Sequence, residues 1–140
     1  MKNMCILAIV FFVSSVPLTA SPGAVIKKMA SPSPCATGMA FDGKAFWTAD
    51  RKTDKLYRLD PASGQVLASL DAPGYFCTGL AWDGTHLWVA DMDFTNTSTE
   101  SYCGKIYQLD VQTGRTLKVI MAPGSDPQGL AWDGAYLWVA

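Results

Sequence analysis

This sequence has little histidine, little excess of either charge and no long apolar run beyond residue 20. It has one histidine, 11 basic and 12 acidic residues, and a formal net charge of −1 over 140 residues. A single histidine excludes a histidine-rich zinc site built from these residues alone. Nearly balanced charge without a basic run argues against a broad nucleic-acid surface. The length is enough for about one domain.

One long apolar run is present, at residues 5–13, and it follows the positive charge of Lys2. Residues 17–20 then offer small side chains of the kind that signal peptidases cleave after. The pattern predicts a secretory signal peptide at residues 1–20, too short for a comfortable membrane span. An uncleaved anchor is the alternative. We therefore expect a secreted or periplasmic protein, residues 21–140, with no stable membrane span after cleavage.

A repeat organises the rest of the chain. Residues 79–91 read GLAWDGTHLWVAD, residues 38–50 read GMAFDGKAFWTAD, and residues 129–140 read GLAWDGAYLWVA. Asp-Gly between apolar runs predicts a β-hairpin with a type I′ turn. The short runs are apolar on both pleat faces, which indicates strands buried on both sides.

The complete unit predicts four short antiparallel strands, at 38–41, 45–49, 55–59 and 65–70. This spacing, near 40 residues, is typical of β-propeller blades, whereas a sandwich has no reason to repeat and a solenoid uses shorter or helical units. We predict an all-β propeller with blade 1 at 38–72, blade 2 at 79–122 and the start of blade 3 at 129–140. Residues 24–32 match residues 65–73 and predict an N-terminal closing strand. About two and a half blades suggest a fragment of a longer protein, with apolar flanks exposed.

Antiparallel pairing places the polar insertion at residues 92–104 on the face opposite the Asp-Gly turns. We predict that this face binds a small molecule, peptide or protein. Its candidate ligand-binding residues are the acidic and amide side chains Asp50, Asp91, Asp93, Glu100, Asp126 and Gln128. The carboxylates could hold Ca²⁺ or serve as a general base. Alternatively, each aspartate caps its own turn. No catalytic residue or set of metal ligands is identifiable.

Three cysteines remain after signal cleavage: Cys35, Cys77 and Cys103. In an oxidising compartment, Cys77 and Cys103 are the favoured disulfide, because both belong to the insertion-loop face. Free thiols, or a bond from Cys35 to either partner, are the alternatives. His86 follows an Asp-Gly turn on the other face, where a structural role is expected. The five tryptophans recur at fixed repeat positions, which predicts packing between blades.

The repeat resembles the glutamine cyclotransferase-like group of bacterial propellers. The resemblance lies in GLAWDG-xx-LWVAD at 79–91, KIY-x-LD-xx-TG at 105–114 and APG at 122–124. Similar repeats occur in YVTN-type, sugar-lactonase-like and quinoprotein-like propellers. The resemblance implies a glutaminyl-peptide cyclotransferase that forms pyroglutamate, or a lactonase-like metal-dependent hydrolase. The matched residues are turns and buried strands, which specify blades and not chemistry. The first hypothesis is therefore an exported propeller that acts as a binding scaffold, with the enzymes as alternatives.

Overall fold

A computed structural model describes residues 23–25, 27–92 and 104–140, and these residues form strands and turns without a helix. The ten strands are β1 (Ala36–Phe41), β2 (Phe46–Asp50), β3 (Lys55–Leu59), β4 (Val66–Asp71), β5 (Cys77–Trp82), β6 (Leu87–Asp91), β7 (Lys105–Leu109), β8 (Thr116–Met121), β9 (Leu130–Trp132) and β10 (Leu137–Val139). The described part of the chain contains no helix with the length and apolarity that crossing a bilayer requires.

The strands form three antiparallel sheets in chain order. Blade 1 is β1-β2-β3-β4, blade 2 is β5-β6-β7-β8, and blade 3 is the pair β9-β10. Blades 1 and 2 share even their irregularities, since the register shifts within the first and third strands at equivalent positions. The all-β prediction of four-stranded antiparallel blades is confirmed, and the architecture is a partial propeller-like fold.

The Asp-Gly hairpins differ from the predicted type I′ geometry. Phe41 pairs with Phe46, so the loop has four residues, and the Asp42 amide donates to the Ala45 carbonyl at 3.0 Å. Gly43 has the positive φ (88°) that was expected, but Asp42 does not. A type I′ turn requires positive φ at both central residues, so that part of the prediction is wrong.

The core lies between the blades. Trp47, Ala49 and Leu56 of blade 1 pack with Leu80, Leu87, Val89 and Leu109 of blade 2 in one buried cluster. A second cluster joins Ala81, Trp88 and Ile106 of blade 2 to partly buried side chains of blade 3. Strand β6 is buried at every residue because its two faces supply both clusters. The predicted packing of tryptophans between blades is confirmed at Trp47 and Trp88, which are 1% and 8% exposed.

Glycine sets the close approach of the first strands of successive blades. A Cβ on Gly38 would lie 2.6 Å from the Thr78 carbonyl oxygen, and one on Gly79 would lie 2.9 Å from the Leu130 amide. Any larger residue would therefore push the blades apart. Hydroxyl groups beside these glycines bridge the same gap. Thr37 Oγ1 donates to the Cys77 carbonyl at 2.7 Å, and Thr78 Oγ1 donates to the Pro127 carbonyl.

The predicted closing strand at residues 24–32 is not a strand in the described residues of that segment. Lys27 Nζ instead donates to the carbonyls of Pro61 and Ala62, at 2.7 and 2.6 Å. Residues 29–32 lie over the outer flank of blade 1, where they line a cavity with β1 residues. A strand needs a hydrogen-bonded neighbour along its length, and no described strand pairs with this segment.

The outward flanks of the first and last blades expose apolar side chains, as expected from the repeat. Met39 on blade 1 is 66% exposed and Trp138 on blade 3 is 61% exposed. Their equivalents in blade 2 are covered by a neighbouring blade, so the difference arises from position in the series and not from sequence.

Candidate functional site

The strand register divides the loops between two faces. Ala36, Asp50, Lys55 and Asp71 align at one end of blade 1. We call this end, with its equivalents and residues 92–104, the insertion face. The opposite end carries the turns 42–45, 60–65, 83–86, 110–115 and 133–136, and we call it the hairpin face. The sequence prediction of two distinct faces agrees with this register.

Asp50 ends β2 on the insertion face, and its carboxylate is used in its own turn. Its Oδ1 accepts from the amides of Lys52 and Thr53 at 2.9 and 3.0 Å, and its Oδ2 accepts from the Cys35 amide at 3.0 Å. Burial acts to raise the pKa of Asp50, but the nearby Ser33 hydroxyl and these amides outweigh it and lower that pKa. The geometry favours the turn-capping alternative, and a ligand-binding role for Asp50 stays a prediction.

Asp91 repeats this arrangement in blade 2. It is buried, and its Oδ1 accepts from the Phe76 amide at 2.8 Å. The carboxylate lies against Gly74, where any side chain would collide with it. Gly74 therefore leaves room for the aspartate that ends β6, whereas a Cβ on Gly124, in the APG at 122–124, would meet nothing within 4 Å. As at Asp50, the structural role is visible and a ligand-binding role is still a prediction.

Asp126 and Gln128 lie together where blade 2 passes to blade 3. Gln128 Nε2 donates to Asp126 Oδ1 and lies 3.1 Å from Met92 Sδ, at the start of the insertion. Asp126 also lines a small cavity of about 110 Å³ beside Pro127 and Val139. The structure therefore brings these two predicted residues to one place, next to the first residue of the inserted loop.

Asp93, Glu100 and Cys103 lie outside the described residues, so their predicted roles are untested. Among residues 23–25, 27–92 and 104–140, no three histidine, cysteine or acidic side chains cluster as metal ligands would. The Ca²⁺ that the carboxylates suggested stays a prediction.

Cys77 is a free thiol, and the predicted disulfide with Cys103 is not supported. Its Sγ lies 3.6 Å from the Gly74 carbonyl and 3.9 Å from Asp91 Oδ1, inside the core between blades 1 and 2. Burial, together with the charge of Asp91, raises the pKa of the Cys77 thiol to about 12. The sequence predicted Cys77 near the insertion because its position in the repeat is on the insertion face, but its side chain lies in the apolar core. Cys35 is an exposed free thiol.

A carboxylate–indole pair occurs in each of the three Asp-Gly hairpins, and the sequence analysis did not predict it. Asp42 Oδ2 accepts from Trp47 Nε1 at 3.1 Å, and Asp83 Oδ2 accepts from Trp88 Nε1 at 2.8 Å. The third copy pairs Asp133 with Trp138 at 2.6 Å. The constant five-residue separation of aspartate and tryptophan was the signal that could have revealed these pairs. In blades 1 and 2 they join the turn to the inter-blade core, because Trp47 and Trp88 belong to the two buried clusters.

His86 lies on the hairpin face, as expected. Its Nδ1 is 3.3 Å from Asp83 Oδ2 and 3.2 Å from Gln108 Nε2. These contacts tie His86 to the same carboxylate that holds Trp88, which is a structural position.

An open pocket of about 590 Å³ lies between blades 1 and 2 on the hairpin face, and we call it the inter-blade pocket. Blade 1 lines it with Asp42, Lys44, Arg58 and Ala68, and blade 2 adds Trp82, Val111 and Gln112. Two of these lining residues form an ion pair, in which Arg58 Nε donates to Asp42 Oδ2 at 2.7 Å. Burial raises the pKa of Asp42, but Arg58 and the turn amides outweigh this and lower that pKa from 3.8 to about 2.

Solved structures similar to this chain define its class. A glutaminyl cyclase from Myxococcus xanthus matches at a TM-score of 0.56 and 19% identity, over 75% of this chain and 41% of that one. Hydrazine synthase from Kuenenia stuttgartiensis matches at a TM-score of 0.52 and 18% identity, over 87% of this chain and 32% of that one. The chain thus spans less than half the length of either structure. No family model matches it, and no curated protein does.

Identities below 20% make these likenesses a statement about fold alone. The glutaminyl cyclase is a propeller, and the sheets described above superpose on part of it. The chain is therefore an all-β protein with a partial propeller-like fold, similar in fold to the cyclotransferase group that the repeat resembles.

Proposed function

We propose that this chain forms part of an exported β-propeller that acts as a binding module, with its ligand on the insertion face. One observation carries the proposal. The carboxylates that recur from blade to blade accept hydrogen bonds from backbone amides nearby, whereas Asp126 and Gln128, which have no equivalent in blade 1, lie beside Met92 at the start of the inserted loop. A scaffold that repeats structure and varies one set of loops is the usual design of a binding propeller.

Export is proposed from the pattern of residues 1–20, which matches a signal peptide. The ligand class is a small molecule, a peptide or a protein loop. Nucleic acid is a poor candidate, because the net charge is −1 and no basic run is present.

A loop exchange within the chain tests the binding face. Blade 1 joins β2 to β3 by residues 51–54 alone, so these four residues can replace residues 92–104 in blade 2. The exchanged protein and the parent would be compared by saturation-transfer NMR with twenty defined tripeptides, each beginning with a different amino acid. We expect transfer to some peptides from the parent and its loss in the exchanged protein at an unchanged melting temperature. Equal transfer by both proteins, or none by the parent, would count against a peptide site there.

A second candidate is a glutaminyl-peptide cyclotransferase, favoured by the structural likeness to glutaminyl cyclase. The test is ammonia release from a peptide that begins with glutamine, with an alanine-initiated peptide as control. Release by the parent protein, but not by the loop-exchanged protein, would replace the binding proposal with an enzymatic one.

A further inference from the structure

The inter-blade pocket has a positive character that its single carboxylate does not cancel. Asp42 Oδ1 accepts from the amides of Lys44 and Ala45 at 2.8 and 2.7 Å, and Oδ2 accepts from Trp47 Nε1 and Arg58 Nε. A carboxylate offers about four acceptor positions, and all four are filled. Asp42 therefore has no remaining capacity to bind a cation or to accept a proton from a substrate.

Other side chains in the same pocket have hydrogen-bond donors without an acceptor among the described residues. Arg58 lines the pocket, and the only hydrogen bond of its side chain among the described residues is made by Nε, which leaves its two terminal nitrogens without a described acceptor. Lys44 and Gln112 also line the pocket, and no described residue hydrogen-bonds to the ammonium of Lys44 or to the side-chain amide of Gln112. The Arg58 side chain is 30% exposed, which keeps it reachable from solvent but largely fixed by Asp42.

The same pocket also offers apolar surface. Ala68, Val111 and Trp82 line it together with the charged and polar groups. A volume of about 590 Å³ falls within the range of small-ligand sites, in which a small number of polar groups fix the orientation of the ligand.

We propose that the inter-blade pocket binds a small organic carboxylate. The terminal nitrogens of Arg58 form a planar fork that matches a carboxylate in bidentate fashion. Lys44 adds a second positive charge, Gln112 adds a neutral donor, and Ala68, Val111 and Trp82 offer apolar contact to the body of the ligand. This site is on the hairpin face, so it is separate from the insertion-face site proposed above.

The neighbouring cleft between blades 2 and 3 provides an internal control. There the aspartate and tryptophan are kept as Asp83 and Trp88, but Gln108 takes the place of Arg58 and Thr85 takes the place of Lys44. Both cationic side chains are therefore absent from the second cleft. A carboxylate should bind beside Trp47 and not beside Trp88.

The test is NMR titration of the full chain, ¹⁵N-labelled at the tryptophan indoles, with benzoate. Benzamide has the same shape without the charge and serves as the ligand control. We expect saturable shifts of the Trp47 and Trp82 indole signals, with a dissociation constant of about 1–10 mM for a ligand this small. The Trp88 signal should not move, and benzamide should give no saturable shift.

Substitutions then assign the donors. Arg58→Gln should weaken benzoate binding by more than about tenfold, since a bidentate charged pair is lost. Lys44→Ala should weaken it by about two- to fivefold, as for an exposed charge. Arg51→Gln removes one positive charge on the insertion face and should leave the affinity unchanged. If Arg58→Gln does not fold, Lys44→Ala against Arg51→Gln decides the question.

Four outcomes would overturn the proposal: no saturable shift with benzoate, equal shifts with benzamide, an equal shift of Trp88, or equal weakening by Lys44→Ala and Arg51→Gln. Exchange of residues 92–104 should leave benzoate binding intact, so failure here and failure at the insertion face can be told apart.

Discussion

The three equivalent tryptophans of the second strand allow a graded test of inter-blade packing. Trp47, Trp88 and Trp138 each donate an indole hydrogen bond to the aspartate of their own turn. Their exposures are 1%, 8% and 61%. Local chemistry is therefore nearly constant across the series, and burial against the next blade is the variable.

The expected losses follow from burial. Trp47→Ala and Trp88→Ala should each lower the free energy of unfolding by about 3–5 kcal/mol, the range for truncating a buried aromatic residue. Trp138→Ala removes a side chain that is mostly in water, so only its hydrogen bond and partial packing are lost, about 1 kcal/mol.

Urea unfolding followed by far-ultraviolet circular dichroism measures all three variants against the parent. Trp47→Phe is a useful companion, because it keeps a ring in the core and removes only the indole donor. A loss at Trp138 as large as that at Trp47 would refute the reasoning, since it would show that the turn hydrogen bond, and not the neighbouring blade, carries the stability.

Three further predictions concern single groups. Gly38→Ala should lower the free energy of unfolding by about 2 kcal/mol or more, because the new methyl group meets a backbone carbonyl 2.6 Å away. Gly129→Ala, whose nearest neighbour would be 3.8 Å away, should lower it by less than about 1 kcal/mol in the same urea assay. The lowered pKa of Asp42, about 2 against an ordinary 3.8, contributes about 2 kcal/mol that is fully present above about pH 5. That contribution should be lost as the pH falls from about 5 to about 1, and Asp42→Asn should flatten this part of the stability profile. Cys35 should react with a thiol reagent in the native protein at pH 7. Cys77 should react only after unfolding, because it is buried and its pKa is raised to about 12. Fast labelling of both thiols in the native protein would contradict the packing of Cys77 in the core.

Repetition explains why the blades could be predicted from the sequence. An apolar run, Asp-Gly and a second apolar run specify a hairpin wherever they occur, and the copies at residues 38–50 and 79–91 fold alike. Loop length could not be read from the dipeptide alone. It depends on the Asp42 carboxylate, which binds the amides two and three residues ahead and so holds four residues in the turn.

Residues 24–32 show the limit of arguing from equivalence. They match the last strand of the unit, but a strand also requires a partner, and among the described residues Lys27 donates to the carbonyls of a turn instead. Their role as a closing strand stays a prediction. The candidate site was limited in the same way. The repeat position predicted Asp50 and Cys77 on the insertion face. The structure adds that the Asp50 carboxylate accepts hydrogen bonds from backbone amides and that the Cys77 side chain lies in the core.

The threonine bridges between blades have a consequence for how such a protein can change over time. Thr37 and Thr78 each donate to a main-chain carbonyl, a group that every amino acid possesses. A duplicated or deleted module can therefore dock onto whatever module comes next without a compensating side-chain change at this contact. Loop sequences can therefore change during evolution while the contacts between successive blades stay interchangeable.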